Sequence, residues 1–175
     1  SKFSDLSNIN ESVLSIYFNK DKGLKKLFQS LYWQTQFILS GTDIYDKTFT
    51  KLFIHNDSQC TKEVTIGNNA EWFDSDNGVY KEDLWIFNGF EDYVKDNRKP
   101  FIDDSINIIS SNFNYSKEWF DISKFMSIFA VITFKFDNWY YSIDGKTKSL
   151  QPTILNIEQP KLILNDITMA YKKSI

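Results

Sequence analysis

The stretch MSIFAVITFKF, residues 126–136, restricts the fold more than any other part of the chain. Ile128, Ala130, Ile132, Phe134 and Phe136 recur at every second position, the period at which strand side chains share one face. Phe129 and Val131 make the opposite face apolar too, so the first half of this strand is expected to be buried on both sides. Such a strand needs neighbours in a sheet and a covering layer. The chain then continues as a meander. Asp137-Asn138 turns it, and WYYSI returns with Trp139, Tyr141 and Ile143 on one face. Asp144-Gly145 has the composition of a two-residue hairpin turn, and a third strand is expected over residues 153–157, behind Pro152.

Upstream, apolar spacing suggests helices. Asn10 is placed to cap a short helix carrying Val13, Leu14, Tyr17 and Phe18. Asp21 is placed to cap a second, in which Leu24, Leu27, Phe28, Leu31 and Ile38 recur at helical spacing as far as Gly41, with Trp33 and Phe37 widening the face. Residues 49–53 and 64–66 read as strands and DSDNG, residues 74–78, as a turn. Residues 81–95 read as a helix with Ile86, Phe87, Phe90 and Val94 inward. Pro100 opens another, with Ile102, Ile106, Ile109 and Phe113 spaced by 4, 3 and 4 residues. Ser116 is placed to cap a short helix, and Pro160 opens a C-terminal helix or strand ending in Lys172-Lys173. The expectation is one α+β domain over residues 1–175: N-terminal and central helices packed on an antiparallel or mixed sheet, closed by a C-terminal β-meander.

The tetrapeptide EWFD occurs twice, at residues 71–74 and 118–121. The flanks share nothing, so the two copies read as coincidence rather than duplication. They differ in expected setting. Trp119 and Phe120 run into the buried strand, whereas Trp72 and Phe73 precede a loop, where a large aromatic more often meets a partner.

Tests for chemistry return little. There is one His, His55, and one Cys, Cys60, so no intramolecular disulfide and no cysteine-rich metal site can form. Their separation of five residues would place them on opposite faces of a strand, which argues against a Cys–His nucleophile. No Gly-x-Ser-x-Gly elbow and no phosphate loop is present. Asp74-Ser75-Asp76-Asn77-Gly78 fails the calcium-loop spacing, because Phe73 and Ser75 occupy the positions where acids are required. The adjacent pairs Glu82/Asp83, Glu91/Asp92 and Asp103/Asp104 would point apart on helices, which disfavours joint acid–base work. No catalytic, cofactor-binding or metal-ligating set is therefore assigned, and the chain is not expected to be an enzyme.

Charge says more. The net charge is −3 and Arg98 is the only Arg, which disfavours nucleic-acid binding. Residues 71–104 hold ten acids against four bases, a local −6 that leaves +3 for the rest. Within that segment Glu71, Trp72, Asp74, Asp76, Tyr80, Glu82, Asp83, Trp85, Glu91 and Asp92 alternate carboxylates with rings, a composition suited to a basic protein partner. The concrete expectation is a small immunity protein that neutralises a basic, nuclease-type bacterial toxin by covering its cationic cleft. The alternative is a cone-like ligand-binding protein or small enzyme with an apolar pocket and a buried carboxylate. No signal-peptide pattern or membrane-spanning run is read, and a lone Cys suits a reducing compartment, so the expected location is the cytoplasm, without a membrane partner.

Overall fold

A computed structural model describes residues 11–44, 47–66, 78–92 and 124–174. These residues form twelve strands and no helix: β1 (Glu11–Phe18), β2 (Lys26–Leu39), β3 (Thr42–Ile44), β4 (Lys51–His55), β5 (Val64–Thr65), β6 (Gly78–Lys81), β7 (Leu84–Phe87), β8 (Met126–Ser127), β9 (Ala130–Asp137), β10 (Tyr140–Tyr141), β11 (Lys148–Ser149) and β12 (Lys161–Lys173). The α+β expectation is thereby corrected to an all-β fold. Both N-terminal helices are strands β1 and β2, the helix over 81–95 is replaced by the β6–β7 hairpin, and the C-terminal segment takes its strand alternative as β12. The helices expected after Pro100 and Ser116 lie outside the described residues.

Beside a separate small sheet of β10 and β11, the two large sheets have the orders β1-β9-β4-β5 and β12-β2-β7-β6, with β3 and β8 also on β2. Every pairing in them is antiparallel. The sheets pack face to face through large rings. Trp33 on β2 meets Phe134 on β9 at 5.2 Å between centroids, Phe37 meets Phe136 at 6.1 Å, and Phe18 on β1 meets Phe28 on β2 at 6.1 Å. Ala130, Ile132, Phe134 and Phe136 are all buried, as the alternation in β9 requires. The expected single strand nevertheless breaks at residues 128–129: Met126–Ser127 pair with β2 as β8, and Ile128 is 44% exposed. It is the second half, with Thr133 and Lys135, that is buried on both faces.

The strand β2 shows why its spacing imitates a helix. Tyr171 pairs with Phe28 and Ala170 with Ser30, so Gln29 is an extra residue, a β-bulge. Inward positions therefore step from Phe28 to Leu31 and only then run at period two through Trp33 and on to Phe37 and Leu39. The bulge supplies one helix-like interval of three inside a strand. In β1 the mimicry has another source: both faces carry apolar side chains, so Val13, Leu14, Tyr17 and Phe18 fall at helical intervals although the backbone is extended.

The segment after β9 is also redrawn. The strands β10 and β11 pair Tyr141 with Lys148, so the connection spans residues 142–147 rather than two residues. Gly145 sits in it with φ 73°, a left-handed conformation that Gly adopts without steric cost. Residues 153–157 form a turn, closed by the Thr153 N–H donating to the Asn156 carbonyl at 2.8 Å, instead of the expected third strand.

Candidate binding groove

Along one side of β2 the ladder is interrupted. The strand β7 pairs with Leu31 to Trp33 and β3 pairs with Phe37 to Leu39, so among the described residues the strand partners stop before Gln34 and resume after Gln36. A groove of about 270 Å³ lies over this gap. Its lining includes Gln34, Thr35 and Gln36 of β2, Asp43 of β3, Asp83 of the β6–β7 turn and Asn165 of β12. Phe37 and Ile44 add an apolar strip. Asn165 is itself an extra residue in β12, between the pairs Leu164–Thr35 and Asp166–Gln34, so a second bulge shapes the wall.

The two acids come from the two ends of the gap. Asp43 is opposite Ile38 in the β2–β3 ladder. Asp83 closes the β6–β7 hairpin, whose two turn residues Glu82 and Asp83 have φ of 54° and 62°, the signature of a type I′ turn. Its carboxylate accepts a hydrogen bond from the Tyr80 hydroxyl at 2.7 Å. The Tyr80 ring packs on Trp85 at 4.6 Å, and Trp85 stacks on Trp33 at 6.3 Å and 14° between planes. The Trp33 indole donates to Thr48 Oγ1 at 2.9 Å, and Thr35 Oγ1 donates to the same hydroxyl oxygen at 2.9 Å. The rim carboxylate is thus tied to the core through three rings, which fixes it for recognition.

The arrangement suits a cationic side chain. Carboxylates at both ends offer charge-assisted acceptors, the three amides offer acceptors and donors, and the half-buried Ile44 offers surface for an aliphatic stem.

The ten residues singled out by charge and ring content divide sharply. Glu71, Trp72, Asp74 and Asp76 lie outside the described residues. Trp85 and Asp92 point into the interior, each 1% exposed. Tyr80 is half-buried on the hairpin, while Glu82, Asp83 and Glu91 face solvent. Only Asp83 lines the groove, with Tyr80 behind it. Gln34, Gln36, Asp43 and Asn165 escape a reading by charge density, because they are scattered over three strands distant in sequence. The one available signal is the polar run Gln34-Thr35-Gln36 between the apolar stretches Leu31-Tyr32-Trp33 and Phe37-Ile38-Leu39 of β2.

His55 and Cys60 are brought together, contrary to the opposite-face expectation. The chain doubles back at residues 56–59 and the two residues form an antiparallel bridge, which places cross-strand side chains on the same side. The electrostatics oppose nucleophilic use. Burial, followed by the nearby carboxylates of Asp92 and Glu63, pushes the Cys60 thiol far above its ordinary range, and the thiol donates to the Thr61 carbonyl at 3.3 Å. A reactive thiolate needs the reverse environment. Asp92 is a buried carboxylate of the kind the ligand-pocket alternative asks for, but it accepts from the Cys60 backbone N–H at 3.4 Å, away from the groove.

Among the described residues no group of three or more His, Cys, Asp or Glu is placed to hold a metal ion, and no helix is long and apolar enough to cross a membrane. Comparisons with protein-family models and with curated proteins find no match to this chain.

Proposed function

We propose that the protein is a cytoplasmic inhibitor that binds a basic protein partner, in the manner of an immunity protein covering the cationic cleft of a nuclease-type bacterial toxin. The observation that carries this reading is the groove with Asp43 and Asp83 at the two ends of an amide-lined gap in β2. A Lys or Arg from the partner enters it as an anchor, its charge met by the carboxylates and its stem by Ile44. The local −6 of residues 71–104 adds long-range attraction, which accelerates encounter and weakens with salt. Nuclease-type toxins fit because a cleft that binds phosphate must be cationic.

Bacterial survival tests the reading. The protein is co-expressed with a basic toxin domain encoded by the reading frame beside its own gene. Wild type is expected to protect the cells, and Asp43→Asn/Asp83→Asn to lose about tenfold or more in affinity and with it the protection. Protection by the double variant equal to wild type, or none by wild type, would overturn it.

A further inference from the structure

Among the described residues the two large sheets end on β1 and β5 and on β12 and β6, while β3 and β8, also on β2, are only three and two residues long. An exposed strand edge offers its main chain to any passing strand, and proteins block that with short strands, bulges or charges. Three ends are blocked. The strands β5 and β6 are two and four residues long. The β12 ladder carries two register breaks, and β12 bears Lys161, Asp166, Lys172 and Lys173. From Ser12 to Phe18 the strand β1 has none of these devices. It runs eight residues in unbroken register with β9, from Glu11 opposite Asp137 to Phe18 opposite Ala130. No charge, Gly or Pro interrupts residues 12–19, yet Val13, Leu14 and Tyr17 are 47%, 40% and 59% exposed.

We infer that β1 pairs antiparallel with β1 of a second copy about a two-fold axis through Ser15, joining the two β1-β9-β4-β5 sheets into one of eight strands. The strand's own sequence selects this occupant and register. With Ser15 opposite Ser15, Val13 of each copy faces Tyr17 of the other and Leu14 faces Ile16. Apolar side chains then meet on both faces at the centre, Ser12 faces Phe18 at each end, and no like charges meet between residues 12 and 18. Centring the pair between Leu14 and Ser15 would oppose residues whose side chains lie on opposite faces of the joined sheet, which a two-fold axis normal to that sheet does not allow. The faces are already sorted for it. Ser15 shares a hydroxyl contact of 3.2 Å with the buried Thr133 on the face away from the second sheet, while Phe18 packs inward against Phe28. Tyr17 is braced by stacking on Phe129 at 5.2 Å. A self-complementary strand gives an isologous, closed contact rather than a growing fibre. The inference does not depend on the groove, which lies in the other sheet.

Sedimentation velocity on the full chain tests it. Wild type is expected to sediment as a dimer. Ser15→Lys and Ser15→Glu, each placing like charges across the axis, are expected to weaken it by about tenfold. An equimolar mixture of the two is expected to restore it. Ser15→Cys gives a second readout, because directly opposed residues on antiparallel strands lie within disulfide reach. Oxidation should cross-link Ser15→Cys but not Val13→Cys. A monomeric wild type, an unrestored mixture, or a Ser15→Cys chain that does not cross-link overturns the inference. A dimer unaffected by Ser15→Lys assigns the contact to another strand and overturns it equally.

Discussion

Replacing Lys135 by Met is expected to be among the most damaging single changes that remove one charge and little volume. The Lys135 side chain is fully buried on the outer face of β9, with its ammonium 2.8 Å from the Glu63 carboxylate, 3.8 Å from that of Glu11 and 5.7 Å from the centre of the Phe53 ring. At 2.8 Å the gross attraction to one carboxylate is about 6 kcal/mol for an effective dielectric of about 20. Desolvation of the three charges takes back most of that, so the intact cluster contributes little net stability. Removing the cation alone is a different matter. Glu63 and Glu11 are only 13% and 22% exposed, so Met would leave two carboxylates close together and poorly hydrated. Breaking a buried pair in this way costs about 3–5 kcal/mol. Lys135→Met/Glu63→Gln should recover a large part of the loss, and adding Glu11→Gln should recover more, because each step removes a stranded charge. Urea unfolding followed by the fluorescence of the stacked Trp33 and Trp85 measures all four proteins. A Lys135→Met protein within about 1 kcal/mol of wild type, or losses that simply add in the double variant, would refute the reasoning.

Three further outcomes follow from local geometry and burial. Gly145→Ala is expected to cost about 1–2 kcal/mol, because the residue has φ 73° and its new Cβ would lie 2.9 Å from Ile44 Cδ1; the shift in thermal midpoint reads it. Glu82→Gly, at φ 54° in the β6–β7 turn, is expected to gain up to about 1 kcal/mol in the same assay while leaving Asp83 in place. Burial holds His55 below its ordinary pKa of 6.5, so as pH falls the unfolded chain takes up the proton first. The corresponding stability is present above 6.5 and is lost as pH descends through that value toward the folded pKa. His55→Phe should therefore flatten the change in urea midpoint between about pH 7.5 and about pH 5.5.

How much of this was legible in the sequence depends on which rule each strand breaks. The strand β9 breaks none from Ala130 to Phe136, where its alternation identifies the strand and its inward face, but the same alternation runs on to Ile128, which is exposed because the strand has already stopped. The strand β2 breaks period two at Gln29, which gives the helix-like interval from Phe28 to Leu31, while Leu24 precedes the strand and Leu27 lies on its other face, so the rest of the apparent stripe is a coincidence of spacing. Its content of Phe28, Tyr32, Trp33, Thr35, Phe37 and Ile38 favours a strand and is the better guide there. The acids Glu82 and Asp83 look like charge in a helix but are turn residues with positive φ. Aromatic content does not separate core from surface: Trp85 is an interior ring, while Tyr80 remains on the hairpin as the brace for Asp83. The groove was least legible, because it is made by where strands stop. Gln34 and Gln36 matter only because β7 ends before them and β3 begins after them.

The groove's selectivity for cationic side chains is tested most directly by recording amide spectra of the full chain during titration with a short arginine-bearing peptide and with its glutamate counterpart. The arginine peptide is expected to move the side-chain amide signals of Gln34, Gln36 and Asn165, with less effect as salt rises and none in Asp43→Asn/Asp83→Asn. Equal responses to both peptides, or shifts confined to residues away from the gap in β2, would contradict the account.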